Sequence, residues 1–222
     1  YWGSKLWTTY FEQIYPENKW KAALYGATIA TIGGIAVEIG DGFATNYGFS
    51  YPDIIADMFG ILLALAQARW PAIDNLIDFS TTLVFTDGFL SSYNKNRFDV
   101  ATDYSGQLVT LNLRLGGIPL IKETLLRYFR VDLGYFTRCY GSYDACSKER
   151  TGTDYWESRN LYVGFSLDLA RMIDDHGNRS TVHRAIRSFS RYYNIWGHTP
   201  KGANIDLDHG NRVSFGTATV AP

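Results

Sequence analysis

The sequence predicts an α+β protein in which an apolar helical hairpin precedes an open antiparallel sheet of about four strands with one or two short amphipathic helices. The prediction rests on a long stretch without basic residues, on later segments of alternating apolar and polar residues, and on one arginine-rich helical pattern. With 222 residues, 46% hydrophobic and 19% charged, the chain has enough apolar matter to bury a core, which excludes disorder. We expect a hairpin over residues 1–75 and a β-rich part over residues 76–222, folded as one continuous unit.

The stretch without basic residues runs from Ala22 to Ala68 and contains 47 residues. It carries four acids and a formal charge of -4, whereas the 21 bases and 18 other acids give the remainder +3. Asn18 is a candidate N-cap for a first helix, which includes 16 uncharged residues ending at Val37. The many small residues of this run favour close approach of a neighbouring helix.

The second helix of the hairpin has clear boundaries. Ser50 is a candidate N-cap, Pro52 fits the first turn, and Pro71 ends the helix at about Trp70. A membrane span needs about 20 apolar residues, whereas the two uncharged runs contain 16 and 11. We therefore expect a hairpin that is buried in a core or dips partway into a bilayer, with complete spanning as the alternative.

The second half of the chain alternates between apolar and polar residues with a period of two. The segments Leu108–Leu115, Phe129–Cys139 and Leu161–Leu169 predict strands, and Arg212–Thr217 predicts a fourth. We expect the apolar row of these strands to face a core covered by helices and the polar row to face water. Four strands are too few for a closed transmembrane barrel, which needs about eight.

Two short helices are predicted beside the sheet. The first is Pro119–Tyr128, and the second is the amphipathic segment Ser180–Tyr193, which places Arg184, Arg187 and Arg191 on one face. We interpret this basic face as a solvated surface. Contact with lipid phosphate or with the acidic hairpin is the alternative.

The acids Glu38, Asp41, Asp53 and Asp57 form the strongest candidate site, because a turn brings the end of the first helix close to the start of the second. Three roles are open for these acids: bracing of the loop backbone, pairing with a cation or with arginines, and proton transfer in catalysis. No nucleophile motif accompanies them, so catalytic residues stay unassigned. We expect no metal and no cofactor, since the histidines lack metal-ligand spacing.

The hairpin turn resembles a known family. Residues 38–43 read EIGDGF, residues 47–57 read YGFSYPDIIAD, and a DYSGQ segment at 103–107 precedes a strand. These motifs resemble the YfiM-like predicted periplasmic or outer-membrane lipoproteins, a bacterial family of uncharacterised function. The resemblance extends from about Lys19 to Pro200, but the chain lacks the upstream D-K-x-x-H segment of that family. It implies the following motif positions, without catalytic roles: Glu38, Asp41, Ser50, Asp53 and Asp57.

The location of the family implies a protein of the bacterial cell envelope, on the periplasmic side and associated with the membrane. In that oxidising compartment the resemblance also implies a disulfide between Cys139 and Cys146. The chain begins with Tyr1 rather than Met, so we expect it to be processed or incomplete.

The expected function is a structural or docking role, as a subunit of a larger membrane complex rather than as an enzyme. The expected partners are other membrane or envelope proteins and a lipid surface, bound through the apolar hairpin and the aromatic residues that make up 16% of the chain. The formal charge of -1 gives no attraction to nucleic acid. The rival function is an envelope hydrolase or transferase that uses Glu38, Asp41 and Asp57.

Overall fold

A computed structural model of the chain describes residues 1–44, 48–83, 106–138, 157–177, 180–194, 201–208 and 210–217. The chain divides into two compact units, a helical unit at Tyr1–Asn75 and a β-rich unit at Leu76–Pro222. The fold is α+β, with helices first and a mixed sheet after them.

The first four helices of the chain are α1 (Trp2–Ile14), α2 (Lys19–Phe43), α3 (Tyr51–Arg69) and α4 (Pro71–Leu76). The two predicted N-caps are confirmed. Asn18 accepts a hydrogen bond from the backbone N–H of Lys21 at 2.9 Å, and Ser50 accepts one from the N–H of Asp53 at 3.3 Å. The hairpin of α2 and α3 therefore begins each helix where the sequence indicates.

The apolar pattern did not predict α1, which packs against α2. The glycine at position 26 permits this approach, because a Cβ there would lie 2.6 Å from the backbone nitrogen of Thr8 and 2.9 Å from the carbonyl oxygen of Ser4. Stacked aromatic rings extend the contact, with 5.4 Å between the ring centroids of Tyr15 and Tyr25. Gly26 thus allows the close helix approach that its small size suggests.

Most large apolar side chains of α2 and α3 are exposed. Ile32 and Val37 of α2 are 60% and 61% exposed, and Phe59 of α3 is 68% exposed. Within the described residues, α2 and α3 are the two helices long and apolar enough to cross a membrane. Within the described residues, much of the apolar surface of the helical unit is therefore exposed.

The strands of the β-rich unit are β1 (Ile77–Leu83), β2 (Gln107–Arg114), β3 (Phe129–Arg138), β4 (Ser158–Leu167), β5 (Tyr193–Asn194), β6 (Lys201–Asp206) and β7 (Val213–Thr217). In the described part of the chain they form one sheet in the order β5-β1-β2-β3-β4-β6-β7. Neighbours are antiparallel except β1 and β5, which are parallel.

All four predicted strands are present, as β2, β3, β4 and β7. The prediction of about four antiparallel strands is nevertheless too low, because the described residues form a mixed sheet of seven. The strands missed by the sequence pattern are β1, β5 and β6. They are short or rich in polar residues, so they give weak apolar alternation.

In the described part of the β-rich unit, two helices accompany the sheet: α5 (Leu169–His176) and α6 (Thr181–Tyr192). The second is the predicted amphipathic helix. The segment Pro119–Tyr128, predicted as a helix, instead forms turns and one 3₁₀ turn at Leu125–Tyr128. Its Thr124 accepts a hydrogen bond from the N–H of Leu126, which starts the 3₁₀ turn locally and separates it from the preceding turns.

The faces of the sheet are inverted relative to the prediction, with the polar row buried and the apolar row exposed. On β3, Arg130 and Asp132 are 2% and 0% exposed, whereas Leu133 is 49% exposed. On β4, the burial alternates strictly, and Phe165 is 61% exposed. We define the outward face as the exposed or half-buried row of the three central strands: Val109, Leu111, Leu113, Phe129, Val131, Leu133, Tyr135, Leu161, Val163, Phe165 and Leu167.

The opposite side, the inner face, contains one small apolar cluster among the described residues. It consists of Leu108, Phe136 and Tyr162. The ring of Tyr162 lies over Gly164, where any Cβ would meet it. The remaining inner positions of the central strands are mostly polar, and α5 and α6 are tied to this polar side rather than covering the apolar one, as their ion pairs below show.

Candidate functional site

The predicted carboxylate site lies where α2 ends and α3 begins. Glu38 is buried, and its Oε2 accepts a hydrogen bond from the backbone N–H of Ser50 at 3.0 Å. Ser50 is also the N-cap of α3, so one residue links the acid of α2 to the first turn of α3. This contact is of the loop-bracing kind.

The other three acids have different surroundings. Asp41 is half-buried in the last turn of α2, and Asp53 is exposed in the first turn of α3. The Asp57 carboxylate lies against Gly34 of α2, with its Oδ2 only 2.7 Å from where a Cβ would stand. In the part of the chain that the structure describes, no three acidic, histidine or cysteine side chains are grouped to hold a metal ion. These four acids therefore form no metal-binding group among the described residues.

Replacing Glu38 by alanine should destabilise the helical unit by about 1 kcal/mol, because Ser50 N–H loses a charged acceptor and water replaces it incompletely. Urea unfolding followed by circular dichroism measures the loss. The matched control is Glu38→Gln, whose amide oxygen keeps an acceptor at the same position and should recover most of the stability. Equal losses in both variants would contradict a bracing role for this hydrogen bond.

Two arginines of the predicted basic face of α6 pair with acids of the same unit. Arg187 Nε lies 2.6 Å from Asp174 Oδ1 of α5, and Arg191 is buried with its Nε 3.0 Å from Asp78 Oδ2 of β1. The side chain of Arg184 lies outside the described residues. The interpretation is therefore corrected for Arg191, which is buried and holds α6 to the sheet, whereas Arg187 is partly exposed and pairs with α5.

Cys139 and Cys146 lie outside the described residues. The disulfide that the family resemblance implies therefore stays a prediction.

A network of buried charges occupies the inner face, and the sequence did not predict it. At its first centre, Arg114 of β2 forms a bidentate pair with Asp168, at 2.7 Å from Nε and 3.2 Å from Nη2. Arg114 Nε also lies 3.8 Å from Asp78, which Arg191 reaches from α6. Asp168 is at the same time the N-cap of α5, accepting from the N–H of Arg171. This centre therefore joins two strands to both helices.

The second centre lies on β3 and β4. Arg130 Nε donates to Ser166 Oγ at 2.6 Å and lies 3.0 Å from Asp132 Oδ1, while Ser166 donates to Asp132 Oδ2. The guanidinium of Arg130 also donates to the side-chain oxygen of Asn194 on β5. Asn194 in turn donates to Thr82 at 2.8 Å. These bonds connect the central strands to the edge of the sheet.

Small polar side chains fill the space between the two centres. Asn112 donates to Asp78 Oδ1 and to Ser80 Oγ, both at 2.9 Å, and Ser80 also bonds Thr110 at 2.9 Å. Three arginines and three aspartates form the charged part of the network, so its formal charge is zero: Arg114, Arg130, Arg191, Asp78, Asp132 and Asp168. The arrangement neutralises the inner face and positions α5 and α6, because every acid in it faces an arginine.

The sequence did contain a signal for this network. Acids and arginines of the strands stand, together with Asn, Ser and Thr, at the positions between those of the apolar row. Period-two alternation identifies two faces of a strand, but it does not say which face is buried.

Comparisons with protein-family models, with curated proteins and with solved structures each gave no match. The resemblance to the YfiM-like lipoproteins therefore stays a hypothesis that rests on the motifs around Glu38 and Ser50.

Proposed function

We propose that this chain is a membrane-associated protein of the bacterial cell envelope with a structural or docking role, as a subunit of a larger membrane complex. The observation that carries the proposal is the exposure of the apolar side chains of α2 and α3. A helix that is apolar around its circumference needs an apolar environment outside the chain, either lipid or another protein.

The dimensions of the hairpin are compatible with a bilayer. At about 1.5 Å per residue, the 25 residues of α2 extend about 37 Å and the 19 residues of α3 about 28 Å, against a hydrocarbon core of about 30 Å. Glu38, near the C-terminal end of α2, is buried and hydrogen-bonded rather than exposed. Its burial lowers the cost of bringing α2 into an apolar environment.

The periplasmic location rests on the resemblance of the turn motif to the YfiM-like lipoproteins.

The rival function, an envelope hydrolase or transferase acting through Glu38, Asp41 and Asp57, gains no support from the described contacts. Glu38 is engaged with the Ser50 backbone, and Asp57 lies against Gly34 on the adjacent helix. Alanine variants at the three acids distinguish the two functions: loss of a turnover with folding intact favours the rival, whereas loss of fold or assembly favours docking.

Vesicle flotation tests the proposal. We expect the full chain, mixed with phosphatidylcholine and phosphatidylglycerol vesicles, to float with the lipid in a density gradient and to resist carbonate extraction. A matched pair of variants locates the contact: Ile32→Lys places a charge on the exposed apolar side of α2, and Glu123→Lys places one in an exposed polar turn of the other unit. We expect Ile32→Lys to reduce flotation and Glu123→Lys to leave it unchanged. Full recovery of the parent chain in the soluble fraction would overturn the proposal.

A further inference from the structure

We infer that the outward face of β2, β3 and β4 contacts the hydrocarbon of a lipid bilayer, an inference that rests on the proposed membrane association and extends it to the β-rich unit. The geometry behind it is the inversion of the sheet. The side that a water-soluble sheet buries is exposed here, and the side that it exposes is buried.

In water, a sheet that buries its polar row and exposes its apolar row would be unfavourable. Each large apolar side chain left in water forgoes about 1.5–3 kcal/mol of burial, and each buried charge costs free energy unless it is paired. A sheet in hydrocarbon has the opposite preference, because its polar side chains must turn inward and satisfy one another. The neutral network of three arginines and three aspartates meets that requirement.

The backbone of the central strands also meets the requirement that polar groups in hydrocarbon are paired with one another. β2, β3 and β4 each have a hydrogen-bonded neighbour on both sides, so their peptide groups are paired within the sheet. These strands are 8, 10 and 10 residues long, and a tilted strand that spans a bilayer has about 9–11 residues. The contact is assigned to these three strands for that reason.

The outward face has ends that fit the boundary between hydrocarbon and water. On β3 its row begins with Phe129 and finishes with Tyr135, so aromatic rings flank the aliphatic residues between them. One step beyond Tyr135, Thr137 stands opposite Arg159 of β4 in the pairing register. Arg159 is exposed and pairs with Asp208 at 2.6 Å, so a charged pair marks this end of the apolar band.

Helix α6 repeats the inversion independently of the sheet. Val182, Ile186 and Phe189 on its apolar side are 69%, 52% and 51% exposed, whereas Arg191 on the other side is buried. A helix and a sheet, whose side chains repeat with different periods, thus both expose their apolar sides in this unit.

The extent of the apolar surface favours lipid over a protein partner. A protein interface has an apolar centre with a polar rim. Here the exposed apolar row continues across the strands to β7, where Val213 and Phe215 are 56% and 85% exposed. The row carries charged residues near its two ends, Arg159 on β4 and Lys201 on β6 opposite Phe165, and this arrangement suits an apolar layer with a polar boundary on each side.

Photolabelling from within the bilayer tests the inference on the unaltered full chain. Vesicles contain a phospholipid whose acyl chain carries a diazirine near its end, and mass spectrometry locates the labelled residues after irradiation. We expect label on outward positions of β3 and β4, such as Leu133, Val163 and Phe165, and none on the inner residues between them. Label at the exposed end residue Arg159 should be at least about tenfold lower, because it lies outside the apolar band.

The outcomes separate this inference from the proposed function. A chain that floats with vesicles and is labelled on α2 and α3 but not on the strands would overturn the inference and leave the membrane association standing. A chain that neither floats nor takes label would overturn both. As a second measurement, Val163→Lys should reduce strand labelling several-fold and Glu123→Lys should not; unchanged labelling in Val163→Lys would also contradict lipid contact.

Discussion

Asp168→Ala should destabilise the β-rich unit by about 3–5 kcal/mol, the cost typical of removing one partner from a buried ion pair. The variant leaves Arg114 buried with its nearest remaining acid, Asp78, at 3.8 Å, and it removes the N-cap of α5. Two supports of the same helix are therefore lost at once. Urea unfolding in detergent micelles, followed by tryptophan fluorescence and circular dichroism, measures the change in the free energy of unfolding.

The control for this prediction is an exposed ion pair. Glu123 lies 3.8 Å from Lys122 with an 80% exposed side chain, so Glu123→Ala should change stability by at most about 0.5 kcal/mol. A second variant, Asp168→Asn, keeps the cap oxygen and removes the charge, and it should fall between the parent and the alanine variant. An Asp168→Ala protein as stable as Glu123→Ala would contradict a structural role for the network.

Gly26→Ala should destabilise the helical unit by about 1–3 kcal/mol, although alanine is the better helix former. The added Cβ would overlap the backbone nitrogen of Thr8 and the carbonyl oxygen of Ser4, neither of which is the end of a flexible side chain. α1 must therefore move away from α2. Thermal unfolding monitored by circular dichroism measures the loss.

The same substitution at Gly33 provides a control of opposite sign. Beyond the adjacent residues and backbone of α2 itself, no described atom lies within 4 Å of the position a Cβ would take there, so Gly33→Ala should stabilise α2 by up to about 1 kcal/mol in the free energy of unfolding. The contrast between the two glycines isolates helix contact from helix propensity. If Gly26→Ala stabilised the unit as Gly33→Ala does, the close approach of α1 and α2 would be wrong.

Local sequence signals predicted the helix boundaries of the hairpin well. The caps at Asn18 and Ser50 and the stop at Pro71 depend on a few neighbouring residues, and backbone chemistry acts within that range. The contact of Glu38 with Ser50 also joins residues only 12 positions apart. The helix α1 was missed because its packing depends on one glycine of another helix, which its own residues do not specify.

The faces of the sheet were predicted in the wrong orientation for a different physical reason. Alternation in β3 distinguishes the row containing Asp132 from the row containing Leu133, but the choice of buried row assumes that the surroundings are water. The ion pairs that stabilise the polar row on the buried side join residues far apart in the chain, such as Arg114 and Asp168. No local pattern specifies which acid reaches which arginine.

The pair of Asp78 with Arg191 has a consequence for the order of assembly. The two residues are 113 positions apart, so β1 lacks this ion pair until α6 has been synthesised. A nascent chain that ends before α6 presents an acid on β1 without its nearest cation and β1 without its parallel neighbour. Strand β1 and helix α6 thus reach their native contacts only after all of residues 77–194 have been synthesised.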